Sequence, residues 1–563
     1  MKPSSILSIP ALIALLPAIA ALPTTTPHLA PLSSQGEIIP DKYIVVLKKG
    51  VEFGSIQAHL DVVQQAHSES LLSSLDGITK IFQPTTHSQH GFYGYAGQFS
   101  QATLDLIRSS PEVEYVEHDQ VVRLDFGTES FESQPRGHVE NNLESLAQVT
   151  RAEEDLMIAS DGYNITHQRS APWGLSRISH RPHLTLSTLM RYDYSTASLS
   201  TSHDPQGVDV YVVDTGINVA HVEFQGRAKW GKTIPSGSKD YDGNGHGSHC
   251  AGTIGSRAYG VDKGVNLWAV KVLSDQGSGT LSDVVSGISW AAEHAEQRAK
   301  AAEAELAATG KTAYKGAVIS MSLGGGKSAA TDDAVDAATQ VALVAVAAGN
   351  DNKDACDYSP ARAKKAITVG ASTLGDERAY FSNLGKCVDI FAPGLNILSV
   401  WTNGNMTSNT ISGTSMATPH IAGLGAYLLS VYGTETLPYM TARELAKLDK
   451  IAGSTLSESA LIETILAQTP AASIQSVASS SSSSVYSVVY SAMPRLAQAL
   501  FPAPATQLES VAPIDKVITT IKPNQLKGLL ISLSSKGLLS GVGEGSPNLL
   551  AFNNATSVPS KKN

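Results

Sequence analysis

Three glycine-rich blocks each surround one side chain suited to nucleophilic catalysis. Val212-Val213-Asp214-Thr215-Gly216 ends an apolar run in a carboxylate. Asp242-Gly243-Asn244-Gly245-His246-Gly247-Ser248-His249-Cys250 sets an imidazole between glycines, which let the backbone approach closely and leave the ring accessible as a base. Ser412-Gly413-Thr414-Ser415-Met416-Ala417-Thr418-Pro419-His420 leads into the apolar run Ile421 to Val431, so Ser415 is expected at the start of a buried helix. There the free N–H groups and positive dipole end favour a developing oxyanion. Pro419 must then lie in the first turn or kink the helix. Singly, each residue has an ordinary reading: Asp214 as an Asx turn, His246 and His249 as satisfied ring donors, Ser415 as a helix cap. Together they supply a hydroxyl, a base to take its proton and a carboxylate to hold the imidazolium.

Other chemistries fit less well. Zinc would need more ligands than His246 and His249, and the chain has no His-Glu-x-x-His or Cys-x-x-Cys pattern. A phosphate loop at Gly326-Lys327-Ser328 fails because Met321 stands where its first glycine belongs. An esterase elbow, Gly-x-Ser-x-Gly, fails at Ala417, and its triad runs Ser, Asp, His along the chain, where here the order is Asp, His, Ser.

Positioning these groups requires a sheet. Val208 to Val213, Val265 to Leu273, Ala317 to Leu323, Val341 to Val346 and Ala366 to Val369 are short β-branched runs. Leu281 to Leu306 and Thr331 to Ala342 have helical composition. The alternation predicts an α/β fold with a mostly parallel central sheet and helices on both faces, whose ligands sit at the carboxyl ends of the strands. Ahead of it lies a small α+β unit, with strands over Lys42 to Leu47 and Val113 to Val122 and a helix over Ala102 to Ser109. Residues 124–165 read as a polar, acidic linker. Residues 433–512, with the run Ser479 to Ser484, read as a surface insertion that is partly disordered, after which Pro523 to Leu533 resumes as a helix.

The 563 residues are 42% hydrophobic and 16% charged, enough apolar material for a large core. A formal charge of 41 minus 51, or -10, opposes nucleic-acid binding. Residues 1–20, with Lys2 before an apolar run, read as a secretory signal; no later segment stays apolar long enough to cross a membrane, and a monomer is expected. Cys250, Cys356 and Cys387 allow at most one internal disulfide.

In combination the three blocks resemble the subtilisin-type serine peptidases, in the fungal proteinase K branch and its vacuolar group. The resemblance extends over residues 166–554, from Ser170-Ala171-Pro172-Trp173-Gly174 to Ser546-Pro547-Asn548-Leu549, leaving 555–563 as a tail. It implies Asp214 as orienting acid, His246 as base and Ser415 as nucleophile, with the Asn350 side-chain amide as an oxyanion donor. It implies that Gly277-Ser278-Gly279 and Ser322-Leu323-Gly324-Gly325 are the edges clamping an extended polypeptide substrate, with cleavage after apolar residues. It pairs Cys356 with Cys387, a bond worth about 3 to 4 kcal/mol for a loop of this length, and leaves Cys250 as a buried thiol packed near the imidazole one turn away. No cofactor is required; a structural calcium is suggested by Asp389, whose companion carbonyls would lie near Lys364 and Ala366, although the two lysines of that segment, Lys364 and Lys365, depart from the pattern. Residues 21–165 resemble a propeptide, with an inhibitor-type domain at 40–123 that folds on the enzyme, lies in its groove and is removed by a cut between Arg151 and Ser170. Asn164, Asn405 and Asn554 begin glycosylation sequons, and the expected address is the secretory route, ending in a vacuole or outside the cell.

Overall fold

The computed structural model describes residues 29–33, 35–70, 72, 77–82, 91–124, 165–195, 207–432, 449–457, 460 and 521–555. The expected signal, the linker interior, the Ser run, Asn164 and residues 556–563 lie outside them.

The N-terminal unit comprises β1 (Ile38–Leu47), α1 (Phe53–Ser68), β2 (Ile78–Phe82), β3 (Gly94–Gln98), α2 (Gln101–Ser109) and β4 (Val113–Arg123). These four strands pair antiparallel in the order β4-β1-β3-β2, and the two-residue strand Leu32–Ser33 adds to the outer side of β4 in parallel. Alternation along β1 divides two cores: Tyr43, Val45 and Leu47 face α1 and α2, while Ile44 and Val46 point to the larger domain. The unit therefore cannot bury both faces of its sheet alone.

The larger domain opens with a hairpin, β5 (Ile165–Arg169) and β6 (Arg191–Ser195), around the short helix α3 (Trp173–Ile178). Then follow β7 (Val208–Asp214), β8 (Ala228–Thr233), α4 (His246–Gly255), β9 (Asn266–Lys271), β10 (Ser278–Thr280), α5 (Leu281–Thr309), β11 (Gly316–Met321), α6 (Ala329–Ala338), β12 (Leu343–Ala347), β13 (Ile367–Ser372) and β14 (Ile390–Pro393). A hairpin of β15 (Ile397–Val400) and β16 (Ser408–Ile411) leads to α7 (Thr414–Tyr432); α8 (Pro523–Leu533), β17 (Ser535–Lys536) and β18 (Leu549–Leu550) close the domain. The nine-stranded sheet has the order β8-β9-β7-β11-β12-β13-β14-β18-β17, parallel except for the last pair. Helices α4, α7 and α8 cover one face; α5 and α6 cover the other and carry the N-terminal unit. The strand order reverses at β7, which lies between β9 and β11 and so opens a crevice at its carboxyl end.

Some boundaries differ from those read in the sequence. The helix expected over Thr331 to Ala342 begins at Ala329 and stops at Ala338, because Ser328 caps its start and the chain must turn before β12. Strands β14 to β16, at four residues each, are too short for periodicity to mark. Within the expected insertion, Asp449 is buried and its carboxylate accepts hydrogen bonds from Asn524 and Gln525 at the start of α8, so that part docks on the domain.

Candidate active site

Asp214 is the last residue of β7 and His246 the first of α4. Helix and strand meet at backbone distance because residue 247 is glycine: a Cβ there would stand 2.1 Å from Gly216 O. The fully buried His246 Nδ1 lies 2.8 and 2.9 Å from the two carboxylate oxygens of Asp214. Burial works against a charged imidazole, but the Asp214 carboxylate outweighs it and raises the His246 pKa above the ordinary histidine value. Asp242, quoted in the motif but given no task there, holds this geometry. Its carboxylate accepts from Thr215 Oγ1 (2.9 Å), Gly245 N (2.9 Å), Ser248 N (3.0 Å) and Ser248 Oγ (2.6 Å), and Thr215 Oγ1 accepts from Gly247 N (2.9 Å). One buried carboxylate thus ties the end of β7 to the first turn of α4. His249 is structural: Nε2 donates to Ile397 O at 2.9 Å, and burial lowers its pKa to about 3.

Ser415 is the second residue of α7, and Pro419 lies inside that helix, past its first turn. Residue 419 has no N–H to give to the carbonyl four residues back, which is Ser415 O. Two side chains replace it: Ser322 Oγ donates to Ser415 O at 2.9 Å and Cys250 Sγ at 3.5 Å. The same sulfur is 4.0 Å from His246 Nδ1, so one buried thiol touches both the base and the backbone of the serine. Burial pushes this thiol's pKa up, which keeps it protonated. Ser415 Oγ donates to Ser322 O at 3.1 Å and must leave that acceptor to pass a proton to His246.

Asn350 follows β12, and its Oδ1 accepts from both Thr414 N (2.8 Å) and Thr414 Oγ1 (2.9 Å). Because a backbone N–H can only donate, these bonds fix which end of the amide is oxygen and make Nδ2 its donor end, with Asn350 and Ser415 lining the same cavity. Gly349 ahead of it sits at φ 101°, where a side chain would also strike Asn383.

A cavity of about 300 Å³ adjoins Ser415, walled by Ser322 to Gly326, Ala347 to Asn350, Tyr358, Ser359 and Ala361, and closed by Val121 and Arg123 of β4. Strand β4 runs antiparallel to β10, with Arg123, Val122 and Val121 opposite Ser278, Gly279 and Thr280, and Leu124 N donates to Gly277 O at 2.9 Å. The chain's own N-terminal unit therefore lies as an added strand in the groove expected from the glycine-rich edges.

A model of the Subtilase family matches residues 205–474, and one of the Peptidase inhibitor I9 family matches residues 42–125. The subtilisin-like serine protease Pen c 2 of Penicillium citrinum is 46% identical over 450 residues, 78% of this chain and 88% of the relative. This chain belongs to the subtilase family. Subtilisin-like protease 8 of Trichophyton verrucosum is 47% identical over 410 residues, 71% of this subtilase and 74% of that protein. A solved structure, a cold adapted subtilisin-like serine proteinase, is 33% identical and covers 68% of this subtilase and 98% of that chain, with a TM-score of 0.45. This subtilase is a serine endopeptidase made as a zymogen with an inhibitor-type propeptide.

The remaining expectations for the subtilase divide. Cys356 and Cys387 are disulfide-bonded and Cys250 is free and buried. Asn405 is exposed, while Asn554 is half-buried. The calcium donors do come together, but with a lysine on them: Lys527 Nζ donates to Ala366 O at 2.6 Å, to Asp389 Oδ2 at 3.1 Å and to Lys364 O at 3.4 Å. One carboxylate and two carbonyls already engaged by an ammonium do not fit calcium, which takes 6 to 8 oxygens. Among the described residues, sequence reasoning also missed Glu117 and Asp119 of β4. Glu117 accepts from Ser328 Oγ and Ala329 N, both at 2.7 Å, and Asp119 from Ser282 Oγ (2.6 Å) and N (3.0 Å). Each propeptide carboxylate thereby caps one helix of the enzyme, α6 and α5 respectively, a match that no pattern local to β4 reveals.

Proposed function

We propose that this subtilase hydrolyses peptide bonds of extended polypeptides, after apolar residues, through an acyl-enzyme on Ser415. Ser415 Oγ attacks the scissile carbonyl carbon as His246 Nε2 takes its proton; Asp214 holds the other ring nitrogen and stabilises the imidazolium. The oxyanion is met by Asn350 Nδ2 and Ser415 N–H. The imidazolium then protonates the leaving amine, and a water deprotonated by His246 releases the acyl group. The apolar preference is supported by the small walls Gly324, Ala347, Ala348, Gly349 and Ala361. The observation that carries the reading is the buried Asp214–His246 pair beside a groove filled by the chain's own extended strand. Labelling with a fluorophosphonate, with and without Ser415→Ala, followed by N-terminal sequencing of the labelled band, tests chemistry and processing together; hydrolysis of a peptide amide unaffected by Ser415→Ala would overturn it. The signal at 1–20 supports entry to the secretory route, with glycosylation at Asn405 and the other sequons, and an assay of culture supernatant against cell extract separates secretion from a vacuole. Maturation would cut between Arg151 and Ser170 by the same triad.

Asn350→Ala is expected to lower kcat by about 10² to 10³ with KM little changed, because the lost donor serves the oxyanion more than the ground-state carbonyl. Steady-state hydrolysis of a peptide amide checks it.

The propeptide caps give a second expectation. Burial raises the pKa of both Glu117 and Asp119, so docking takes up protons and the inhibitor should bind more tightly as pH falls toward the carboxylate range. Glu117→Ala with Asp119→Ala removes two buried acceptors and should raise the inhibition constant of segment 29–124, added to mature enzyme, by about 10² or more, and flatten that pH dependence. Inhibition titrations across pH measure both.

A further inference from the structure

We infer that Lys527 is a tethered cation standing in for calcium at the site made by Asp389 and the carbonyls of Lys364 and Ala366, so that this subtilase keeps its fold without calcium there. An ammonium has three donors, and this one meets three acceptors: Ala366 O, Asp389 Oδ2 and Lys364 O. Lys527 is buried, 5% exposed, so its charge is offset by these oxygens rather than by bulk water. Asp389 Oδ2 also accepts from Thr368 N at 2.8 Å, which fixes the carboxylate against the start of β13. Calcium would need oxygens at 2.3 to 2.6 Å on most sides; the four-carbon stem of Lys527 enters from one of those sides and excludes them.

The arrangement also does something an ion cannot. Lys527 projects from α8, the helix beyond residues 433–520, and α8 packs on α7 and β12. Its ammonium pins that late helix to the segment 361–366, which leaves the cavity wall at Ala361. A bound ion would order the segment but leave α8 unattached to it.

The test uses the full chain carrying Ser415→Ala, to prevent self-digestion, with thermal midpoints read by circular dichroism in EGTA and in millimolar calcium. The chain with Lys527 should melt within about 1 °C in the two media. K527M leaves the carboxylate without its counter-charge while filling the space, and should melt about 5 °C lower in both. K527A opens the space: its midpoint should fall in EGTA and recover with calcium, and adding D389N should abolish the recovery. A chain with Lys527 that loses stability in EGTA and regains it with calcium through Asp389, a K527M chain as stable as its parent, or a K527A chain that calcium does not lift would each overturn the inference. Should K527A not fold, the K527M and EGTA arms decide.

Discussion

Ser415→Ala is expected to lower kcat for a peptide amide by about 10⁶, the scale on which triad hydrolases respond to loss of the nucleophile, while KM stays within a few-fold. The change removes one oxygen whose described bond goes to Ser322 O, so the fold should be undisturbed and the thermal midpoint should move by no more than about 1 °C. A residual rate about 10³ above water should persist, since Asn350 and the groove do not depend on that oxygen. The same variant reports on maturation. If the cut between Arg151 and Ser170 is made by this triad, the chain expressed alone accumulates at precursor length. Full maturation of Ser415→Ala would assign the cut to another peptidase and leave the kcat expectation standing. Were Ser415 only a residue of the first turn of α7, turnover would be unaffected, because Ser415→Ala keeps the backbone groups that Ser322 and Cys250 engage.

What could be read from the sequence depends on how far apart the cooperating residues lie. Asp214 and His246 are marked locally by glycines that the close backbone approach of Gly247 to Gly216 requires, and Ser415 by Gly413 and the apolar helical run that follows it, so their blocks stand out with no structure in hand. The strands of the central sheet are legible because burial on both faces leaves continuous β-branched runs such as Val208 to Val213. Asp242 was visible only as a motif residue, since its task is to join Thr215 to Ser248 across a turn. Lys527 was invisible in its role: it lies 138 residues from Asp389, and a lysine in an amphipathic helix ordinarily reads as a solvated one. Pro419 illustrates a rule that holds with a different outcome. It does remove a helical hydrogen bond, but Ser322 and Cys250 supply donors from other elements, and the helix continues.

Asp214→Asn is expected to lower kcat by about 10⁴ and to move the acid limb of the pH profile of kcat/KM to lower pH. The sign follows from two opposed effects on His246: burial disfavours the imidazolium, and the Asp214 charge overrides burial and raises the pKa. The base must be neutral to accept the Ser415 proton, so activity rises with pH through that raised pKa. Asparagine removes the charge and leaves the burial, so the pKa drops and the limb shifts down. The enzyme nonetheless becomes far slower, because an amide N–H facing Nδ1 favours the tautomer whose proton sits on Nε2, the nitrogen that must accept from Ser415. The alternative reading of Asp214 as a strand-end cap predicts otherwise. Its Oδ1 accepts from Thr215 N at 2.7 Å, a bond that asparagine retains, so a capping role would leave kcat within a few-fold and the pH profile in place. Initial rates on a peptide amide across pH, for the parent and this variant, separate the two: a large loss with a downward shift of the limb requires a carboxylate that acts through the imidazole.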